Sequence, residues 1–233
     1  VCYFLWDRAT PGSVRVTTHN KGVASNPVER PLLEPGADVF IRYNEALPIL
    51  KKVFAVEVGQ QPHLASLLLP EEKQFTRLVS SIGAFGLDST FRGKPSKGPG
   101  DIKVYRNGGI GYLARAELTK EVHVVDQWKV LIPRAGSGSD AFPHPILGKP
   151  FVGEPGSISS WTYMYIGPFK DRAETENVIS YINTQLFRLL VLLHKPSQDA
   201  TRGVYTFVPT QDFSQPWTDE KLYAKYGITK DDI

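Results

Sequence analysis

Residues 102–115 read IKVYRNGGIGYLAR. Two runs rich in β-branched and aromatic residues flank Asn107-Gly108-Gly109, and that combination predicts a tight β-hairpin. Around it, from about 85 to 170, the grammar stays that of strands. KVLIPR (129–134), KPFVGEP (149–155) and WTYMYIG (161–167) follow one another with Gly/Ser/Pro loops between them. Beyond them one long helix is predicted over about 172–194. Val178, Ile182, Leu186, Leu189, Leu190 and Leu193 line its apolar face, and Asp171 and Glu174 stand at capping-box spacing. A strand-rich region followed by a long packed helix makes the fold class α+β.

Working outward to the ends, VCYFLW, Pro11-Gly12 and SVRVTT read as a hairpin over 1–18. Residues 20–37 read as a Pro/Gly/Asn loop or linker, and VFIR (39–42) as a short strand. Asn44 is the expected cap of a helix over about 45–57, with Leu47, Leu50, Phe54 and Val58 near helical spacing. Pro48 falls early enough in it to be tolerated. Another helix is expected over about 71–79. In the tail Thr218 caps a helix with Asp219 and Glu220 in its first turn, and Gly227 ends it. Val1 opens on a strand-like run, and Thr229 precedes Asp232 at the spacing of a helix start. Both ends therefore read as cuts within a longer protein.

The 233 residues suffice for a buried core, and 41% apolar with 22% charged residues is an ordinary globular balance. A net charge of +3 does not by itself indicate a polyanion partner. One cysteine, Cys2, excludes an intramolecular disulfide and fits a reducing, cytoplasmic setting. No apolar run approaches the roughly 18–20 residues that cross a bilayer, so no membrane partner is expected.

Catalytic motifs are sparse. Glu71-Glu72-Lys73, with Asp38 upstream, matches part of a metal-dependent nuclease site, but such acids also suit the first turn of a helix. GSGSD (136–140) lacks the lysine and following helix of a phosphate-binding loop and reads as a turn. The histidines at 19, 63, 123, 144 and 194 lack metal-ligand spacing. No catalytic and no metal-binding residue is assigned.

Charge distribution is more telling. Arg92, Lys94, Lys97, Lys103, Arg106 and Arg115 crowd into 92–115 against one acid, Asp101, with six glycines and with Phe91, Tyr105 and Tyr112 nearby. Lysines and arginines attract phosphates by releasing counterions, and arginines also pair with guanine edges. A solvated basic loop is the plain alternative.

Several blocks resemble adenine-specific DNA methyltransferases of restriction-modification systems, the Asn-Pro-Pro-Tyr type in which a nuclease can be fused. They are VCYFLWDRATPG (1–12), FGLDSTFRGK (85–94), KVYRNGGIGYLAR (103–115), KPFVGEPGSISSWTYMYIGPF (149–169), ENVISYINTQLFRLLVLLHK (176–195) and YTFVPTQDFSQPWTDEKLYAKYGIT (205–229). The resemblance implies the target recognition region downstream of the catalytic core. It is also similar to the recognition domains of type I specificity subunits, where a strand-rich reader precedes a helix opening like Asn177 to Ile182.

The implied division is the end of a methyltransferase sheet over 1–37, a recognition domain over 38–200 and a helical extension over 201–233. The implied partners are double-stranded DNA and a methyltransferase catalytic domain in cis. S-adenosylmethionine belongs to the parent protein, since neither its glycine-rich motif nor the catalytic loop occurs here. The resemblance places Tyr3, Phe4 and Trp6 as candidates for a target-base pocket, although a core strand explains the same run. Asp88-Ser89-Thr90 departs from the Arg-Thr-Asn frequent in the family. It also makes the six cations DNA contacts, with Arg92, Lys94, Lys97 and Arg106 expected on one surface facing the major groove. A metal-dependent nuclease fragment and a protein-interaction module, marked by exposed apolar residues, are the alternatives.

Overall fold

Period-two alternation in SVRVTT does produce a strand, β1 (Val14–Val16), but its partner lies downstream. The computed structural model describes residues 4–5, 7–9, 12–20, 22–63, 66–135 and 146–232. The chain divides into two units, Val1–Leu68 with Lys230–Ile233, and Leu69–Thr229.

In the first unit, β2 (His19–Asn20) pairs with β3 (Val23–Ala24), and β1 pairs antiparallel with β4 (Val28–Arg30). This nested ribbon fills much of the expected loop over 20–37, while most of the first arm of the hairpin expected over 1–18, and Pro11 of its turn, lie outside the described residues. Reciprocal bonds hold its neck: Ser25 N–H donates to the Thr18 carbonyl at 2.7 Å, and Thr18 N–H to Ser25 Oγ at 2.9 Å. Short connections bring such partners together at a low closure cost.

VFIR does not form a strand. Ile41 is instead buried, and its carbonyl accepts from the buried Arg30 guanidinium. Asn44 does not cap the next helix either. Its Oδ1 accepts from Arg30 Nε at 3.0 Å and its Nδ2 donates to the Val16 carbonyl at 3.0 Å. With the amide committed to the ribbon, α1 (Ala46–Val58) starts after Glu45 without a side-chain cap. It buries Leu47, Leu50 and Phe54 as the spacing predicts.

In the second unit the helix expected over 71–79 is two 3-10 turns, Glu71–Lys73 and Phe75–Leu78. Tertiary bonds explain the break. Phe75 N–H donates to the Val208 carbonyl at 3.0 Å and Thr210 N–H to the Lys73 carbonyl at 2.7 Å, so groups a helix would use are taken.

The hairpin forms as predicted. β5 (Asp101–Arg106) and β6 (Gly109–Ala114) join at Asn107-Gly108, with Arg106 opposite Gly109 and Ile102 opposite Leu113. β7 (Trp128–Pro133), β8 (Phe151–Gly153) and β10 (Tyr163–Phe169) make a second antiparallel sheet in the order β10-β7-β8. β9 (Ser157–Ser159), which the sequence did not reveal, pairs in parallel with β5. Ile102, Val104, Leu113 and Ile158 meet Phe85, Val124, Val125 and Leu131 in one core.

The single helix expected over 172–194 is two. α2 (Arg172–Ile182) is capped by Asp171, whose carboxylate accepts from Glu174 N–H at 2.8 Å. α3 (Gln185–His194) starts afresh at Thr184, whose hydroxyl accepts from Phe187 N–H. The Asp219 carboxylate accepts from Gln185 N–H at 2.9 Å and from Leu186 N–H at 3.0 Å. Three of the amides orphaned at a helix start thus find acceptors, which stabilises the break.

α2 packs on β7, β8 and β10, and α3 packs on α4 (Asp219–Tyr226), capped by Thr218 and ended by Gly227 as predicted. Phe75, Tyr181, Phe187, Tyr205 and Phe213 form an aromatic cluster between these elements, mostly edge to face. Val178, Ile182, Leu186 and Leu190 are buried. The architecture is therefore mixed α+β. Among the described residues no helix is long and apolar enough to cross a membrane.

Candidate nucleic-acid interface

The register of the hairpin assigns each cation a face. Side chains alternate along a strand, so Asp101, Lys103 and Tyr105 share one face of β5 with their partners Tyr112 and Ile110 on β6. Ile102 and Val104 point the other way, into the core. The chain before the hairpin adds to the sheet edge: Lys94 N–H donates to the Tyr112 carbonyl at 2.8 Å, and Tyr112 N–H to the Lys94 carbonyl at 3.0 Å. This pairing brings Lys94 to the Lys103 face.

On that face the positive charge is largely neutralised. Lys94 Nζ lies 2.9 Å from Asp101 Oδ1, and this bond, with one from Gly98 N–H, holds the Asp101 carboxyl below the usual range. Lys103 pairs with Glu154, which also accepts from the Tyr105 hydroxyl at 2.7 Å. Burial alone would raise the Glu154 carboxyl, but the Lys103 and Tyr105 bonds outweigh it and hold it low. At the far end of β6, Arg115 forms a two-pronged pair with Asp126, which raises the guanidinium and lowers the carboxyl.

Lys129 completes this region. It is fully buried opposite Gly153, and its Nζ donates to the Gln127 carbonyl at 2.7 Å and the Val125 carbonyl at 3.3 Å. Burial lowers its pKa to about 8, opposed by Glu154 and Asp126.

The turn end of the hairpin differs. Arg106 lies on the face opposite Lys103, where its Nε donates to the Arg92 carbonyl at 2.9 Å and its Nη1 to the Asn107 carbonyl at 2.8 Å. Arg92 Nη1 in turn reaches the Thr90 carbonyl at 2.9 Å and the Phe91 carbonyl at 3.1 Å. Gly111 permits this approach, because a Cβ there would collide with the Arg92 carbonyl. Arg92, Arg106 and Lys97 form no ion pair among the described residues. Carbonyls brace the two guanidiniums without cancelling their charge.

The expectation of one surface holding Arg92, Lys94, Lys97 and Arg106 is thus corrected. Lys94 sits with Lys103 on the acid-matched face, and Arg92 with Arg106 on the other. The reason is the turn in backbone direction at Gly93, whose φ of 67° separates Arg92 from the strand-like Lys94. Nothing in the composition of 92–115 marks Glu154 and Asp126 as partners, since both are distant in sequence.

The remaining candidates are less developed. Phe4 is 88% exposed, while Tyr3 and Trp6 lie outside the described residues, as does GSGSD. Glu71 and Lys73 share one 3-10 turn, not the adjacent strands a nuclease site needs, and Asp38 lies in a bend of the first unit. No three metal-ligating side chains cluster among the described residues. No protein-family model matches this chain, and no curated protein or solved structure is significantly similar to it.

Proposed function

We propose that the unit Leu69–Thr229 is a duplex-DNA reader, the target recognition part of a restriction-modification adenine methyltransferase. The observation that carries the reading is the pair Arg92–Arg106, two guanidiniums braced by main-chain carbonyls at a hairpin turn and in no ion pair with a described carboxylate, although the Arg92 charge helps lower the Asp88 carboxyl. Preorganised guanidiniums lose little freedom on binding and suit bidentate contacts to guanine or phosphate. Lys97, which forms no ion pair but whose charge helps lower the Asp101 carboxyl, supplies a further charge for the phosphate backbone. Lys94, Lys103 and Arg115 hold the fold of the reader, and contact DNA only by exchanging their acids for phosphate. On this reading the unit resembles a type I specificity-subunit domain, its methyltransferase domain acts in cis, and that domain takes the S-adenosylmethionine.

The experiment is duplex binding by the chain at several salt concentrations. Arg92→Ala and Arg106→Ala are expected to cost about 1–3 kcal/mol each at particular base positions. Lys97→Ala is expected to weaken all sequences alike and flatten the salt slope by about 1. Unchanged affinity and slope in all three variants overturn the proposal. Metal-dependent cleavage by the chain alone would favour the nuclease alternative.

A further inference from the structure

We propose that Trp161 is the apolar wedge of this interface, inserting its indole at a base step of the duplex held by Arg92 and Arg106. The inference rests on the DNA-reading proposal and adds a residue and a mode of contact to it. Because β9 runs parallel to β5, both strands finish at the same end of the sheet. Ser160 N–H donates to the Tyr105 carbonyl at 2.9 Å, just before Arg106. Trp161 N–H donates to the Leu87 carbonyl at 2.9 Å, at the start of the loop whose later carbonyls brace Arg92. The backbone therefore ties Trp161 to the end of β5 that carries Arg106 and to the loop that leads to Arg92.

The side chain is exposed without being loose. It keeps 41% of its surface in water, although an indole of this size is normally mostly covered. Gly83, at φ 62°, lies against the ring so closely that a Cβ there would fall 2.9 Å from Cε3. The Arg134 guanidinium, itself paired with Asp199 at 3.7 Å, stands 5.9 Å from the ring centroid. The indole Nε1 makes no hydrogen bond among the described residues. A ring held against the fold near the arginine-bearing end of β5 matches the requirements of a wedge: the ring separates two bases while the cations of the hairpin turn hold the flanking phosphates. Little ordering is left to lose on binding.

The test titrates the whole chain with a random-sequence duplex pool and with a matching pool carrying one unpaired nucleotide, where the step is already opened. The wild type is expected to bind the second pool about 10-fold more tightly, because unstacking has been done in advance. Indole fluorescence should be quenched on binding, and Trp161→Phe should remove that change while Trp6, Trp128 and Trp217 remain. Trp161→Ala should lose the preference between pools, whereas Trp161→Phe, which keeps a ring against Gly83, should retain part of it. Equal preference in wild type and Trp161→Ala, or quenching that survives in Trp161→Phe, overturns the wedge. Salt-dependent binding that still needs Arg92 and Arg106 would leave the DNA reader standing. Absence of any salt-dependent binding overturns both.

Discussion

Lys103 and Arg106 stand on the same strand of one hairpin, yet their surroundings differ. Lys103 is half-buried, paired with Glu154, and bounded by Tyr105 and the buried Lys129. Arg106 lies at the turn, bonded only to carbonyls, beside an Arg92 in the same condition. Both count equally in the charge of the stretch. The difference shows that a basic stretch overstates its own binding capacity: a cation serves a phosphate only when no carboxylate already holds it. It also separates a stabilising region from a binding one, and each can be disturbed alone.

The largest disturbance should leave the comparison intact by weakening both regions together. Leu186→Ala, in the buried face of α3, is expected to destabilise the unit by about 2–5 kcal/mol in urea unfolding. Intact thermal stability would mean that α3 does not carry the core.

Lys129 tests the stabilising region through pH. Its folded pKa of about 8 lies below the ordinary 10.5, so between those values the unfolded chain holds a proton that the folded chain has lost. Stability should therefore rise with pH across that window, by on the order of 3 kcal/mol, with the full penalty present below it. Tyr105, Tyr165 and Tyr205 are pushed up by burial and act oppositely above about pH 10. Comparing wild type with Lys129→Met isolates the lysine: the variant should lose the rise, and a rise that persists removes Lys129 as its source.

Glu154→Ala sharpens the contrast. It leaves Lys103 and the Tyr105 hydroxyl without their acceptor and should cost about 1–3 kcal/mol. It should also convert Lys103 into a free cation, steepening the salt dependence of duplex binding by about 1. A lower stability with an unchanged slope would mean that the Lys103 face never meets DNA. The smallest effect is expected of Asp126→Asn. Arg115 and Asp126 are both exposed and screened by solvent, so stability should change little. A larger loss, measured by the same unfolding curves, would show that the pair anchors the end of β6.

Local patterns in the sequence determined the elements whose causes are local. Asn107-Gly108 with flanking β-formers produced the β5–β6 hairpin, and Thr218, Asp219 and Gly227 produced α4, because turn and cap chemistry act within a few residues. The apolar face of 178–190 was legible as well, since burial follows helical spacing. The tertiary structure alone decided the rest. Asp219 reaches across to cap α3 and splits the long helix, and Val208 and Thr210 bond to Phe75 and Lys73 and break 71–79 into turns. Asn44 abandons its helix for Arg30 and Val16. In the candidate site, the six cations were visible together, but their partition was not. Glu154 and Asp126 meet Lys103 and Arg115 only after the sheets have formed, and Ser160 bonds to Tyr105 only through the parallel β5–β9 pairing. Such contacts join residues far apart in the chain, and no local spacing encodes them.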